Sequence, residues 1–240
     1  MAQLVFTEDG LQALVNQIKA RQMAEEGKGL STNDFTDEYK QMIDDLAYVQ
    51  IAVSSMSATN ASNEIGSTVT QTNVTWTLNK TPESLTIKFG SEAEITLENT
   101  ATSYQFTGKT VTSNTVITLK ATDERDYTAT RTATISFSPK VYWGTSDQTT
   151  FEGAQILGLA NSALAGSRAR TFTVNAGAGQ YIVYAFPSSF GTPTFNVGGF
   201  DGGFVKTGTV SFQNASGYTQ NYDVWRSVNA GLGNTTVKVS

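Results

Sequence analysis

No cysteine and no histidine occur among the 240 residues of this chain. Without cysteine, neither a disulfide nor a thiolate metal site can hold the fold together. Without histidine, the Ser–His and Cys–His nucleophile pairs are excluded along with the commonest metal ligand. Charge is scarce as well. Asp, Glu, Lys and Arg make up 15% of the chain and sum to a net −5, with a pI near 4.8. A nucleic-acid partner would need a basic face, and the nearest approach to one is the pair Arg168 and Arg170, so no such partner is expected. The opening Met-Ala-Gln-Leu-Val-Phe-Thr-Glu-Asp has no basic n-region and no long apolar run. It does not read as a Sec signal, and no later stretch reads as a membrane span. The expectation is a protein made in the cytosol, not inserted in a membrane, and released by lysis or by a dedicated machine.

What the chain does have is apolar residues, 39% of the total, set among abundant Gly, Thr, Ser and Asn. That profile fits β-sheet surfaces made of hydroxyls and amides and is too apolar for disorder. The N-terminal part departs from it. Thr7 is placed to cap a helix in which Leu11, Leu14, Val15 and Ile18 recur at i, i+3, i+4 and i+7, and Gly27-Lys28-Gly29 is placed to end it. A second helix is predicted to open in Ser31-Thr32-Asn33-Asp34-Phe35-Thr36, with Asp37 and Glu38 in its first turn, favoured by the positive end of the helix dipole. Along it Tyr39, Met42, Leu46, Val49, Val53 and Met56 alternate at spacings of three and four. That is the a/d seam of a heptad repeat, a stripe too narrow to fill a globular core. Two readings follow. In one the two helices form a hairpin within the chain. In the other the seam joins identical chains, which the two-position stripe favours. Mixed β-branched and unbranched residues at a and d leave dimer and trimer both open. These patterns divide the chain into an N-terminal helix and anchoring region, 1–30, and a coiled-coil stalk, 31–63.

From 64 the sequence turns strand-like. Val74, Trp76 and Leu78 alternate with polar residues, as do Leu85, Ile87 and Phe89, then Ile95 and Leu97, Tyr104 and Phe106, Ile117 and Leu119, and Ala133, Ile135 and Phe137. Turn signals separate them, among them Asn79-Lys80-Thr81-Pro82 and Thr107-Gly108-Lys109. Short strands at this spacing predict an immunoglobulin-like sandwich over 64–138, with Trp76 as a core anchor. Pro139 marks the next boundary. A helix is expected over Thr150–Ala165, followed by strands at Thr171–Val174, Tyr181–Phe186, Thr194–Val197, Val205–Phe212, Tyr222–Arg226 and Thr235–Val239. These make 139–240 a second β-domain, rich in Gly and aromatics, of sandwich or jelly-roll type. The fold class expected is mainly β with an N-terminal α-helical coiled-coil stalk.

Few residues offer chemistry. The stretch Gly198-Gly199-Phe200-Asp201-Gly202-Gly203 lacks the lysine and following helix of a phosphate loop and reads as a tight turn. Paired carboxylates can hydrolyse glycosides without histidine. Asp147, Glu152, Asp201 and Asp223 are the candidates, but spacing pairs none of them. Asp123 and Asp201 could serve a calcium ion, yet neither lies in a recognisable cation loop. No catalytic residue, metal ligand or cofactor is therefore assigned. The aromatics crowding the last hundred residues build a core or a subunit interface, or form a surface that binds glycan or protein. Tyr218, Trp225 and Phe200 are the expected exposed contacts, the first two because they flank Thr219-Gln220-Asn221, read as a turn.

The segment from Gly29 to Lys40, Gly-Leu-Ser-Thr-Asn-Asp-Phe-Thr-Asp-Glu-Tyr-Lys, resembles one common in tailed-bacteriophage virion proteins, where it leads into a trimeric helical stalk. The region from Val141-Tyr142-Trp143-Gly144 to Gly198–Gly203 is similar to C-terminal domains of phage structural proteins. With the last region, 139–240, counted whole, these cover about half the chain. The middle domain resembles immunoglobulin-like modules displayed on phage surfaces. The resemblance implies a homotrimeric virion fibre of head or tail, docked on a capsid or tail scaffold protein through its N-terminal region. Its β-domains would be displayed to the host surface, where a glycan is one ligand the aromatics could serve. The competing expectation is a carbohydrate-binding or adhesin module of a bacterium.

Overall fold

The computed structural model describes residues 8–23 and 37–240. The capping signals at Thr7, Gly27–Gly29 and Ser31–Thr36, and with them most of the phage-like segment, lie outside the described residues. The chain forms two compact units, Met1–Ile51 and Ala52–Ser240.

In the first unit, helix α1 spans Glu8–Met23 and helix α2 spans Asp37–Ala47. Leu11, Leu14, Val15 and Ile18 of α1 and Tyr39, Met42, Ile43 and Leu46 of α2 line one cleft of about 160 Å³. The two stripes thus face a shared apolar space.

The seam does not continue as helix to Met56. Helix α2 ends at Ala47, Val49 lies beyond it, and strand β1, Val53–Ala58, takes Val53 and Met56. The stalk boundary at 63 is corrected with it, since β2, Ser62–Glu64, is also a strand. The physical reason is local. Val49, Ile51 and Val53 alternate as β-branched residues that favour a pleated surface over a helix. β1 also finds a partner strand, β3 (Thr72–Leu78), setting Val53 opposite Leu78 and Met56 opposite Trp76.

The second unit is all sheet apart from short turns of helix. β1, β3 and β6 (Ser103–Phe106) form a three-stranded antiparallel sheet. Facing it is a five-stranded sheet in the order β2, β8 (Thr128–Ser138), β7 (Thr115–Thr122), β4 (Ser84–Phe89) and β5 (Ile95–Leu97). β2 runs parallel to β8 while the other neighbours are antiparallel. The alternation read from the sequence is the cause. Val74 and Trp76 from one sheet and Leu85, Ile87, Ile117, Leu119 and Ile135 from the other are all buried. Phe89 meets Phe106 across the gap at 4.9 Å between ring centroids.

Residues 139–240 form a second pair of sheets. One is β10 (Asn161–Leu164), β9 (Lys140–Ser146), β12 (Tyr181–Pro187), β16 (Thr219–Ser227) and β15 (Phe204–Gln213). The other is β11 (Arg170–Ala176), β17 (Gly233–Val239), β13 (Phe195–Val197) and β14 (Phe200–Asp201). The five-stranded sheet is covered on both faces. Ile182, Tyr184 and Phe186 of β12 pack with Phe172, Phe195 and Val237 of the opposing sheet. Val183 and Ala185 pack on the other side with Ile156 and Phe151. The helix carrying Ile156, α3, spans only Gly153–Leu157, not Thr150–Ala165. The chain from Asn161 is taken instead by pairing with β9, which sets Asn161 opposite Trp143. The last residue is tied down, with Ser240 and Thr194 exchanging backbone bonds of 2.8 and 3.0 Å.

Candidate functional site

The strand directions of the five-stranded sheet define two ends. One abuts the first sandwich. There Glu64, at the end of β2, accepts from Lys140 Nζ at 2.7 Å and from the Tyr142 hydroxyl at 3.4 Å. Asn214, in the turn between β15 and β16, donates through Nδ2 to Ile65 O at 2.7 Å. The Tyr222 hydroxyl donates to Lys140 O at 2.6 Å. Burial raises the Tyr142 phenol above its ordinary range, and the Glu64 charge adds to the effect. Burial raises Tyr222 likewise. Both phenols therefore remain neutral donors across physiological pH. Gly66 lies so close to Tyr218 that an added Cβ would stand 2.5 Å from the tyrosine's Cβ. This joint went unread in the sequence. Its members are far apart along the chain, and Ser62–Glu64 carries no apolar alternation.

Tyr218 belongs to that joint. It closes the loop Asn214–Tyr218, its amide bonded to Asn214 Oδ1 at 2.9 Å, and remains partly exposed. The turn expected at Thr219-Gln220-Asn221 is instead the start of β16. Trp225 consequently sits well inside the strand. It is half-buried, with its ring 5.5 Å from Phe195, and is not the exposed contact the sequence led us to expect. Phe195 in turn stacks on Phe204 at 4.1 Å.

Phe200 is different. It is 81% exposed, on the edge strand β14, between Gly198-Gly199 and Gly202-Gly203. Asp201 beside it accepts from Asn196 Nδ2 at 2.7 Å, and the Gly199 amide donates to Asn196 Oδ1 at 3.2 Å, so side-chain bonds shape the hairpin. This hairpin feeds β15 where Gly203 O accepts from Val228 N at 2.9 Å, beside the end of the sheet remote from the first sandwich. Tyr218 thus lies at the joint and Phe200 on the hairpin beside the opposite end, and Phe200 is the strongly exposed aromatic of the three.

The carboxylates are not gathered. Asp147 accepts from its neighbour Gln148 at 3.0 Å, Glu152 is the N-cap residue of α3, and Asp201 is in the hairpin. Asp223, buried on β16, accepts from Ser188 Oγ at 2.6 Å and Thr209 Oγ1 at 2.8 Å, and pairs with Lys206 Nζ at 2.8 Å. Burial pushes its carboxyl up, but the bonds from Lys206, Ser188 and Thr209 outweigh it and hold the group below its ordinary range. Asp123 is bonded in a turn by the amides of Arg125 and Tyr127, at 3.0 and 3.1 Å, with Lys80 Nζ 3.4 Å away. N–H donors and an ammonium occupy the oxygens a cation would need. Among the described residues, no group of three or more His, Cys, Asp or Glu is placed to hold a metal ion.

In the first unit, Tyr39, Met42, Leu46 and Val49 are 55, 56, 64 and 62% exposed. Among the described residues no helix is long and apolar enough to cross a membrane. No protein-family model, no curated protein and no solved structure matches this chain.

Proposed function

We propose that this chain is a structural, non-enzymatic protein of a tailed-bacteriophage virion: a homotrimeric fibre of head or tail. Its N-terminal region docks on a capsid or tail scaffold protein, and its sandwiches are presented to the host surface. The observation that carries the reading is the stripe Tyr39, Met42, Leu46 and Val49, apolar at heptad spacing and more than half exposed. So short a helix gains its stability from packing, and α1 across the shared cleft still leaves the stripe exposed. The resemblance of Gly29–Lys40 to the segment preceding trimeric stalks supports a partner that is the same chain.

The finer fold supports the same reading. The order β1-β3-β6 against β2-β8-β7-β4-β5, with β2 parallel to β8, supports reading this part of the chain as an immunoglobulin-like sandwich. Modules of this kind serve as display domains. Phe200 on its glycine-flanked hairpin is the side chain best placed to meet a ligand. Three copies of a weak site act together, and avidity of this kind exceeds single-site affinity by about 10²–10⁴.

Sedimentation equilibrium tests the trimer. The expected mass is three times the 25.7 kDa of the chain, falling to the chain mass in Leu46→Glu. Burying the exposed part of each stripe residue contributes roughly 1 kcal/mol, so the α2 stripe supplies about 4 kcal/mol per chain. Association costs about 4–15 kcal/mol for each chain added. One glutamate per chain in the seam is therefore enough to break the assembly. A wild-type chain that sediments as a monomer at micromolar concentration refutes the proposal.

A further inference from the structure

The stripe on α2 alone lies close to balance against the cost of association, and a second apolar stripe lies beside it. We infer that α1 is part of the same interface, so that three chains close a bundle of six helices, α1 and α2 from each. The inference rests on the trimeric reading above and says which surface makes the trimer.

Three observations carry it. First, the stripes share one pattern. Leu11, Leu14, Val15 and Ile18 recur at i, i+3, i+4 and i+7, and so do Tyr39, Met42, Ile43 and Leu46. Second, the two stripes line a single apolar cleft of about 160 Å³. A self-sufficient hairpin would bury both stripes against each other, but Leu14 and Ile18 remain 44 and 36% exposed beside the still more exposed α2 residues. The pair is oriented inward yet not filled, which is the state of one third of a bundle. Third, the two stripes together come nearer than either alone to the area that contact with copies of the chain needs. Six side chains at this exposure present on the order of 500 Å², shared in a ring between two neighbours, against the roughly 800 Å² that each partner gives to a stable pairwise interface. The α2 stripe by itself supplies only part of that. A copy of this chain supplies the same stripe to fill the cleft, and cyclic symmetry lets all three clefts be filled at once.

The test uses the full chain, whose lack of cysteine makes engineered thiols unique. The paired substitution Leu14→Glu with Ile18→Glu changes only α1, and Gln17→Glu is the control on an exposed position of the same helix. Sedimentation velocity is expected to give a threefold drop in mass for the pair and none for the control. Circular dichroism should keep its strand signal, because Ala52–Ser240 is a separate compact unit. In a second arm, chains carrying Ile18→Cys and chains carrying Leu46→Cys, each with its own tag, are co-expressed and oxidised. The inference requires a disulfide between the two differently tagged chains, in excess of that from Gln17→Cys with Leu46→Cys. Absence of that cross-link overturns it whatever the mass of the variant. A wild-type trimer that survives the α1 pair unchanged also overturns it, while leaving a trimer held by α2 standing. A wild-type monomer refutes the trimer itself, and this inference with it.

Discussion

Gly66→Ala should be among the most damaging single-methyl additions in the second unit, and its cost can be separated into parts. Gly66 has φ +91, and a Cβ built there lies 2.5 Å from Tyr218 Cβ, 3.3 Å from Tyr218 N and 3.4 Å from Ser216 Cβ. The first part is conformational. An alanine forced into left-handed backbone loses about 1–2 kcal/mol. The second is steric. The obstacle is a Cβ fixed to its own backbone and cannot swing aside like the end of a long side chain, so relief requires moving the Asn214–Tyr218 loop against the first sandwich. Overpacking of this kind costs about 1–3 kcal/mol. The expected total is about 2–5 kcal/mol. Gly198→Ala isolates the first part, because Gly198 also has positive φ, +62, but nothing lies within 4 Å of its added Cβ.

Equilibrium urea unfolding followed by tryptophan fluorescence measures both variants, and a double-mutant cycle isolates the clash. Tyr218→Gly removes the atom that the added methyl at position 66 would meet and leaves the backbone angle there untouched. The coupling between the two substitutions should therefore be about 1–3 kcal/mol and favourable. Whatever Tyr218→Gly costs in lost packing and added chain freedom cancels in the cycle. If Gly66→Ala proves no worse than Gly198→Ala, or costs the same with Tyr218 replaced by glycine, the close packing of the joint is refuted.

Two further outcomes follow from the same geometry. Asp223 has its carboxyl held below its ordinary range, with burial opposed by Lys206, Ser188 and Thr209. A depressed folded-state value means that its stabilisation is complete above the unfolded value, about 3.9, and is lost as pH falls through the lowered folded value. Asp223→Asn should therefore lower the melting temperature at pH 7 and flatten its fall between about pH 5 and 2; an unchanged acid limb refutes the assignment. Trp76 donates Nε1–H to Ala101 O at 2.9 Å while its ring is buried. Trp76→Phe keeps the aromatic packing but loses the bond and some volume, costing about 1–3 kcal/mol by urea unfolding. A loss below about 0.5 kcal/mol would show that this anchor bears little weight.

Much of the sheet structure was legible because one face of each strand in the first sandwich is buried and the other is wet. The alternation of Val74 and Trp76, or of Leu85, Ile87 and Phe89, follows directly from that asymmetry. β1 was not legible, because Val49, Val53 and Met56 satisfy a heptad as well as they satisfy a strand start. Only pairing with Thr72–Leu78, across a turn and a second strand, decides between the two. The helix itself was legible. Tyr39, Met42 and Leu46 lie on α2, and Val49 follows it still exposed. The joint was beyond local patterning altogether, since the bond from Asn214 to Ile65 O spans 149 positions of sequence.

The surplus of aromatics in the last hundred residues finds its explanation in the layering. A sheet with one buried face needs one apolar layer, and the aromatics from Tyr142 to Trp225 exceed that. The sheet built on β12 is buried on both faces, so it consumes two layers. Tyr184, Phe186, Phe172 and Phe195 fill one, and Tyr142, Phe212 and Tyr222 fill the other. Tyr184 shows how a polar end is accommodated in the layer. Its phenol, pushed up to about 12 by burial against the opposing pull of Arg170, donates to Arg168 O at 2.7 Å. Of the side chains that first looked available for ligand binding, Trp225 and the buried tyrosines are committed to the core, and Asp223 to an internal network. Phe200 and, on α1 and α2, Leu14, Ile18, Met42 and Leu46 remain exposed. The cleft between α1 and α2, about 160 Å³, is smaller than the roughly 300–1,000 Å³ of a drug-sized ligand site. Among the described residues Phe200 is the most exposed large apolar side chain, and the first unit gathers Leu14, Ile18, Met42, Leu46 and Val49. Val116, Tyr127 and Val228 lie elsewhere on the second unit, so contact with another macromolecule is best tested first at the hairpin and at the helices.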